Sequence, residues 1–277
     1  MNVLVIDIGG TNIKFIATGQ ERRKFPSGPD MTPQQMVEGV LAATNDWKFD
    51  AVSIGYPGRV HQGRIVADPF NLGPGWKDFD FQSAFGKPVK LINDAAMQAL
   101  GSYQGGVMLF LGLGTGLGSA LIADGVLVPM ELAHLAYRKG TYEDYVGCRG
   151  LERLGKKRWR RHVEIGISRL TAAINPDDVV LGGGNAEKLK ALPPGCRLGD
   201  NLNAFVGGFR LWDHAARPEP VPHLRPQLKI EPSPKPESRP AARAEPEPER
   251  RRPQPRRVPA APAPLPEEPP AAPEPIG

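Results

Sequence analysis

"VLVIDIGGTNIKF", residues 3–15, is the stretch whose reading decides the fold. β-Branched and aliphatic residues lead to Asp7, and after Ile8 come two glycines, Thr11, Asn12 and, one residue on, Lys14. A short apolar run closed by turn residues reads as a buried strand, so strands are expected over 2–8 and 13–18 with a GGTN turn between them. Two readings of that turn compete. Glycine tolerates positive φ, so the pair can be a hairpin corner and nothing more. Glycines also bare backbone N–H groups that phosphate oxygens can approach. Asp7 favours the second reading, because a carboxylate ending a buried strand must be solvated, paired or near a metal ion.

The unit, at 3–17, recurs at 107–123, within "VMLFLGLGTGLGSALIADGVLV" (107–128). Gly112, Gly114, Gly116 and Gly118 alternate, a spacing that would strip one face of a strand; close backbone packing or a bulge is the plainer reading. Two such units predict two related lobes facing a shared cleft. Further strands are expected in "AVSIGYPG" (51–58), "PVKLIN" (88–93) and "VVLGGGN" (179–185). Helices are expected in "MTPQQMVEGVLAATNDW" (31–47), with Thr32 as N-cap before Pro33, after Asn93-Asp94, and in "KRWRRHVEIGISRLTAAINPDD" (157–178), closed by Asn175-Pro176. Strands alternating with helices place the chain in the α/β class.

The 277 residues carry a formal charge of +5 and are 40% hydrophobic, unevenly spread. Residues 1–214 read as globular, in lobes 1–105 and 106–214. About twenty of the 31 prolines fall in 215–277, a Pro/Ala/Glu/Arg-rich tail that cannot offset its ordering entropy and reads as disordered. Met1-Asn2 leads straight into a strand, so no signal peptide is expected, and no apolar run is long enough for a bilayer. Cys148 and Cys196 form no CxxC pair, so neither a disulfide framework nor a zinc site is signalled.

Asn93-Asp94 is the third place of interest. A carboxylate where a strand enters a helix sits at the edge where α/β clefts open. It can cap a helix starting at Ala95, or it can orient a substrate hydroxyl and take its proton during phosphoryl transfer. Glu131 and His134, three apart, would share one face of a helical turn, as a surface pair or as ligands for hydroxyls.

"DIGGTNIK", "NDAAMQALG", "GLGTGLGSALIADG", "ELAHL" and "LGGGN" occur in the order seen in the ROK family of sugar kinases, and the chain over about 1–212 resembles that family. "NLGPGWKDFDF", "YEDYVG" and "GLERLGKKRWRRHV" are similar to its polyphosphate glucokinase branch. The resemblance implies a two-lobed actin-like ATPase fold, ribonuclease H-like in each lobe, and a glucokinase using polyphosphate, ATP or both with Mg2+. It implies Asp94 as catalytic base. It implies Gly58, Asn93, Asp94, Glu131, His134 and Glu143 at the sugar. Gly9, Gly10, Thr11 and Lys14, with Gly114, Thr115 and Gly116, match the phosphate loops. Gly183, Gly184 and Asn185 match the segment at the nucleotide or distal donor end, and Asp7 the position near magnesium. A catalytically silent sugar-binding or regulatory protein, or an ATP-dependent kinase of another hexose, is the alternative.

The chain also departs from that family. "LAYRKGTYEDYVG" has no cysteine, where ordinary members carry a zinc-binding cluster, so no zinc ligand is assigned to His134. Ala133 stands where that family has a glycine before the histidine, so a narrower pocket is expected. No helix-turn-helix head is expected before the first strand. The cation-dense segment 149–162 reads as a solvated helix face or as a track for polyphosphate; no aromatic-interleaved platform marks it for nucleic acid, and Trp159 is expected in the core. The expected partners are thus glucose and polyphosphate or ATP, with neither nucleic acid nor membrane, in a cytoplasmic homodimer.

Overall fold

The computed structural model describes residues 1–200 and 202–213; the tail expected to be disordered lies outside the described residues. The first half runs β1 (Val3–Ile8), β2 (Asn12–Ala17), β3 (Arg23–Pro26), α1 (Pro33–Ala43), β4 (Ala51–Tyr56), the short ribbon β5 (Val60–His61) and β6 (Arg64–Ile65), α2 (Phe81–Phe85), β7 (Val89–Asn93) and α3 (Asp94–Ser102). The second runs β8 (Val107–Leu113), β9 (Leu117–Ala123), β10 (Val126–Pro129), the ribbon β11 (Ala136–Tyr137) and β12 (Gly140–Thr141), α4 (Tyr142–Val146), α5 (Cys148–Ile174), β13 (Asp178–Gly182), β14 (Cys196–Leu198) and α6 (Asn203–Arg210). The described residues fall in one compact unit.

The two sheets have the same order, β3-β2-β1-β4-β7 and β10-β9-β8-β13-β14. In each, an antiparallel meander of three strands is extended by two parallel strands. The internal repeat expected from the two glycine turns is therefore present at the level of whole sheets. This is the two-lobed actin-like arrangement, with a ribonuclease H-like sheet in each lobe.

Period-two alternation explains how the sheets are covered. On β1, Leu4, Ile6 and Ile8 join a core with Phe15, Met36, Val40 and Trp76. On β8, Leu109, Leu111 and Leu113 join a core with Trp159, Val163 and Ile167 of α5. The opposite faces meet the crossed helices. Val3 and Val5 pack with Met97 of α3 and with Ala204 and Phe205 of α6, while Met108 and Phe110 pack with Ala95, Ala96 and Ala99 of α3. The last helix of each half thus also covers the sheet of the other. Gly101 and Gly207 allow α3 and α6 to approach: a Cβ on Gly101 would meet the Asn203 backbone, and one on Gly207 the Met97 carbonyl.

Several boundaries differ from the sequence reading. Thr32 caps α1 in a full capping box with Gln35, but the helix stops at Ala43. The second glycine run does not strip one face of one strand. Gly112 and Gly118 face each other across the hairpin, and Gly114 and Gly116 lie in its turn. The basic helix begins at Cys148 and is broken at Gly155, whose φ of 72° is a conformation open to glycine. It ends where expected, on left-handed Asn175.

Candidate active site

Asp7 continues the Val3, Val5 face of β1, the face covered by the crossed helices, which puts a carboxylate where the alternation calls for an apolar residue. It is 13% exposed and has Lys14 Nζ at 3.4 Å, directly across the β1–β2 pair. Burial raises its pKa, and Lys14 only partly offsets that. At the corresponding register of the second hairpin stand Gly112 and Gly118. A Cβ on Gly118 would lie 2.8 Å from Ala95 Cβ, so that hairpin reaches the first turn of α3 because it is bare there.

The N-cap of α3 is Asn93. Its Oδ1 accepts from the N–H groups of Ala95 and Ala96 at 3.0 and 3.2 Å, and its Nδ2 donates to the Gly58 carbonyl at 3.0 Å. The cap assigned to Asp94 in the plain reading therefore belongs to its neighbour. Asp94 is the first helical residue, with Oδ1 2.8 Å from the Ala95 nitrogen. Burial, and then the nearby charge of Asp7, push its pKa up to about 7. Gly58 follows a tight turn below Tyr56; a Cβ there would come within 2.8 Å of the Tyr56 ring.

Both glycine turns present exposed threonines, Thr11 and Thr115, whose hydroxyls have no hydrogen-bond partner among the described residues. Ser27 braces the first turn, donating from Oγ to the Gly9 carbonyl at 2.6 Å and from its N–H to Thr11 at 3.0 Å. Asn71 closes over Gly10, whose Cβ would lie 3.0 Å from that of Asn71. The second turn is braced by the segment after β13. Asn185 donates from its N–H to the Leu113 carbonyl at 2.9 Å and from Nδ2 to that of Gly114 at 2.9 Å. Gly183, at φ 80°, packs on Leu113 where a side chain would strike backbone. Gly183, Gly184 and Asn185 thus join Gly114, Thr115 and Gly116.

Glu143, on α4, lies with its carboxylate against Gly116, and its N–H donates to the Ala133 carbonyl at 3.0 Å. Glu131 and His134 are exposed; Glu131 precedes, and His134 lies within, a non-helical turn closed by Leu135 N–H to Leu132 O. The expectation of one helical face fails because no helix forms there, although the bond to Ala133 does bring Glu143 beside the same segment. Among the described residues no cluster of three or more His, Cys, Asp or Glu is placed to hold a metal ion. Magnesium characteristically takes one or two carboxylates plus substrate phosphates. A buried Asp7 with one distant cation, near a second acid, suits that chemistry. Sequence reasoning missed Ser27, Asn71 and Asn93's double role; "ADPFN" signalled a turn at Asn71, and nothing local marked the others.

The model for the ROK family matches residues 3–129. Over that stretch the chain is similar to the ROK family. The chain is 28% identical over 206 residues to a polyphosphate glucokinase of Mycobacterium tuberculosis, covering 66% of this chain and 77% of that protein. It is 29% identical over 145 residues to an N-acetylmannosamine kinase of Salmonella newport, 46% of this chain and 50% of that one. Its fold superimposes on an inorganic polyphosphate/ATP-glucomannokinase from Arthrobacter sp. strain KM with a TM-score of 0.65 and 27% identity, over 75% of this chain and 96% of that one.

Proposed function

We propose that this protein is a ROK-family glucokinase that transfers a phosphoryl group from polyphosphate, ATP or both to the 6-hydroxyl of glucose. The observation that carries the reading is Asp94, an acid with its pKa near 7 in the corner where Asp7 and the second glycine hairpin approach α3. A base poised near neutrality suits proton removal from a hydroxyl. Asp94 orients that hydroxyl and takes its proton late in a loose transfer. Gly58, Asn93, Glu131, His134 and Glu143 supply donors and acceptors for the other ring hydroxyls. Gly9, Gly10 and Thr11, with Lys14, and Gly114, Thr115 and Gly116 cradle the donor phosphates. Gly183, Gly184 and Asn185 flank its distal end. Magnesium, held by Asp7 and the donor, would neutralise charge on the transferring oxygens.

The surface charge supports a polyanionic donor. Among the described residues, no Lys or Arg from 138 to 190 pairs with a carboxylate. Lys156, Lys157 and Arg158 are exposed, whereas Trp159 is fully buried and offers no stacking platform for a base. The relatives named for polyphosphate point the same way.

Initial rates of glucose 6-phosphate formation with ATP and with polyphosphate, run beside mannose and N-acetylmannosamine as acceptors, test the proposal. Turnover of glucose with either donor is expected. Turnover confined to another hexose would replace glucose, and binding without turnover would identify a silent sugar-binding protein.

A further inference from the structure

We propose that Tyr137 and His162 form a clamp that positions the sugar-side residues Glu131, His134 and Glu143, an inference that rests on the sugar-kinase reading above. The segment that carries those three residues has little regular structure to hold it. It runs from Glu131 through a turn and the β11–β12 ribbon to the start of α4. Its two arms are joined by the Tyr142 N–H on the Leu135 carbonyl and the Glu143 N–H on that of Ala133, both at 3.0 Å. These bonds tie Glu143 to the neighbours of His134. They do not fasten the pair to the rest of the fold. At the ribbon's tip Arg138 takes a φ of 55°, a strained choice for a residue with a side chain.

The Leu132 N–H on Ser119 Oγ, at 3.2 Å, fastens the start of the segment to β9, and Tyr137 supplies the anchor for its far end. It is buried, and its hydroxyl lies 3.0 Å from Nδ1 of His162 in the middle of α5. Its ring stacks on Tyr142 at 4.8 Å and meets Tyr145 edge-on at 5.1 Å. The Arg138 and Arg169 guanidinium groups lie over it at 5.8 and 5.5 Å. Tyr137 follows His134 by three residues and Tyr142 directly precedes Glu143, so the stacked rings connect both arms of the segment to α5. Gly166 of α5 makes room, since a Cβ there would come within 3.3 Å of the Tyr142 ring. Burial, with Arg138, Arg153 and Arg161 nearby, lowers the pKa of His162, so its imidazole is neutral at physiological pH and Nδ1 can accept from the phenol.

Stacking alone would be satisfied by phenylalanine. The hydroxyl–imidazole bond adds direction: it fixes the ring along α5 and with it the register of the ribbon. Glu143 then holds its place against Gly116, so the clamp sets where the sugar-side residues stand relative to the second phosphate turn.

The test uses the full chain with Tyr137→Phe, His162→Ala and His162→Asn, the last because an Asn amide can occupy the place of Nδ1. Loss of one neutral hydrogen bond is expected to raise KM for glucose roughly five- to tenfold, with KM for the donor unchanged. His162→Asn should recover most of that loss. Amide hydrogen exchange should quicken over 131–143 and stay unchanged over 89–102. Equal changes in both KM values, or a lower melting temperature with both KM values intact, would assign the pair to packing and overturn the clamp. If the wild-type chain phosphorylates no sugar, the kinase reading fails, and exchange alone decides: unchanged protection over 131–143 in Tyr137→Phe overturns the clamp, and faster exchange confined there supports it.

Discussion

Asp94 shows how much a single position can depend on its neighbour. Asn93 takes the capping duty and the contact to Gly58, which leaves Asp94 at the first turn of α3 as an acid and not as a cap. Its pKa of about 7 fixes the sign of two pH effects. As a base it must be ionised, so kcat/KM should rise with pH and level off above about 7. Stability runs the other way. The folded carboxyl binds its proton more tightly than the unfolded one, whose pKa is 3.8, so this group's destabilisation grows as pH climbs from there to about 7. Asp94→Asn should therefore cut turnover by ~100-fold or more. The same variant should melt higher than wild type by a wider margin at alkaline than at acidic pH. A pH–rate profile and melting curves check both, and near-normal turnover in a folded variant would return Asp94 to a structural role. At this scale Asp7 and Asp94 were legible, because an acid ending a buried strand breaks the apolar pattern. Ser27, Asn71 and the Tyr137–His162 pair were not, since each acts through a partner at least 16 positions away in the chain.

α5 is the element on which local pattern served best and failed most visibly. Trp159, expected in the core, is buried there together with Val163, Ile167 and Leu170. The start of α5 and its break at Gly155 escaped notice, because the helix N-terminus is set by Gly147 and by the Cys148 N–H on the Thr115 carbonyl, 3.0 Å away. The cationic run follows the break directly. Arg160 is committed to the Lys188 carbonyl at 2.7 Å, so it is a poor probe of donor binding, whereas Lys156 and Lys157 are exposed. The double variant Lys156→Glu, Lys157→Glu should raise KM for long polyphosphate several-fold and leave that for ATP nearly unchanged. Polyphosphate affinity should also fall less steeply with salt in the variant, because fewer counterions are released. Kinetics with both donors across a salt series measure this; equal effects on both donors would point to a general field. The turn at Glu131–His134 is the opposite case, in which spacing suggested a helix that the chain does not form.

Across the whole molecule the halves are joined by exchanged helices. α3 covers part of the second sheet, and α6 returns to the first, where Ser53 Oγ donates to the Gly208 carbonyl at 2.6 Å and Trp212 Nε1 donates to Ser53 at 2.9 Å. Lys90 adds a bond to the Leu211 carbonyl at 2.6 Å and lies 4.3 Å from the centre of the Trp212 ring. Truncation after Asp213 is expected to leave melting temperature and kinetics close to those of the full chain, since the tail's composition cannot build a core. Truncation after Asn203 removes most of α6, uncovers Val5 and Met97, and should abolish the cooperative transition. Calorimetry on the two truncated chains distinguishes these outcomes. A large loss in the longer one would mean that the tail docks on the domain.

The sequence alone determined the α/β class, the repeated strand–turn–strand unit, the caps at Thr32 and Asn175, and which carboxylates break the apolar pattern. All of these are written in periodicities of two and 3.6 residues and in turn chemistry, which neighbours along the chain impose. Only the tertiary structure decided that Asp7 and Asp94 feel each other, that Gly118 admits the head of α3, that Asn185 braces the second turn, and that Tyr137 finds His162. Burial, charge proximity and a close backbone approach depend on residues far apart in sequence. Such contacts exist only once both sheets and the exchanged helices are packed.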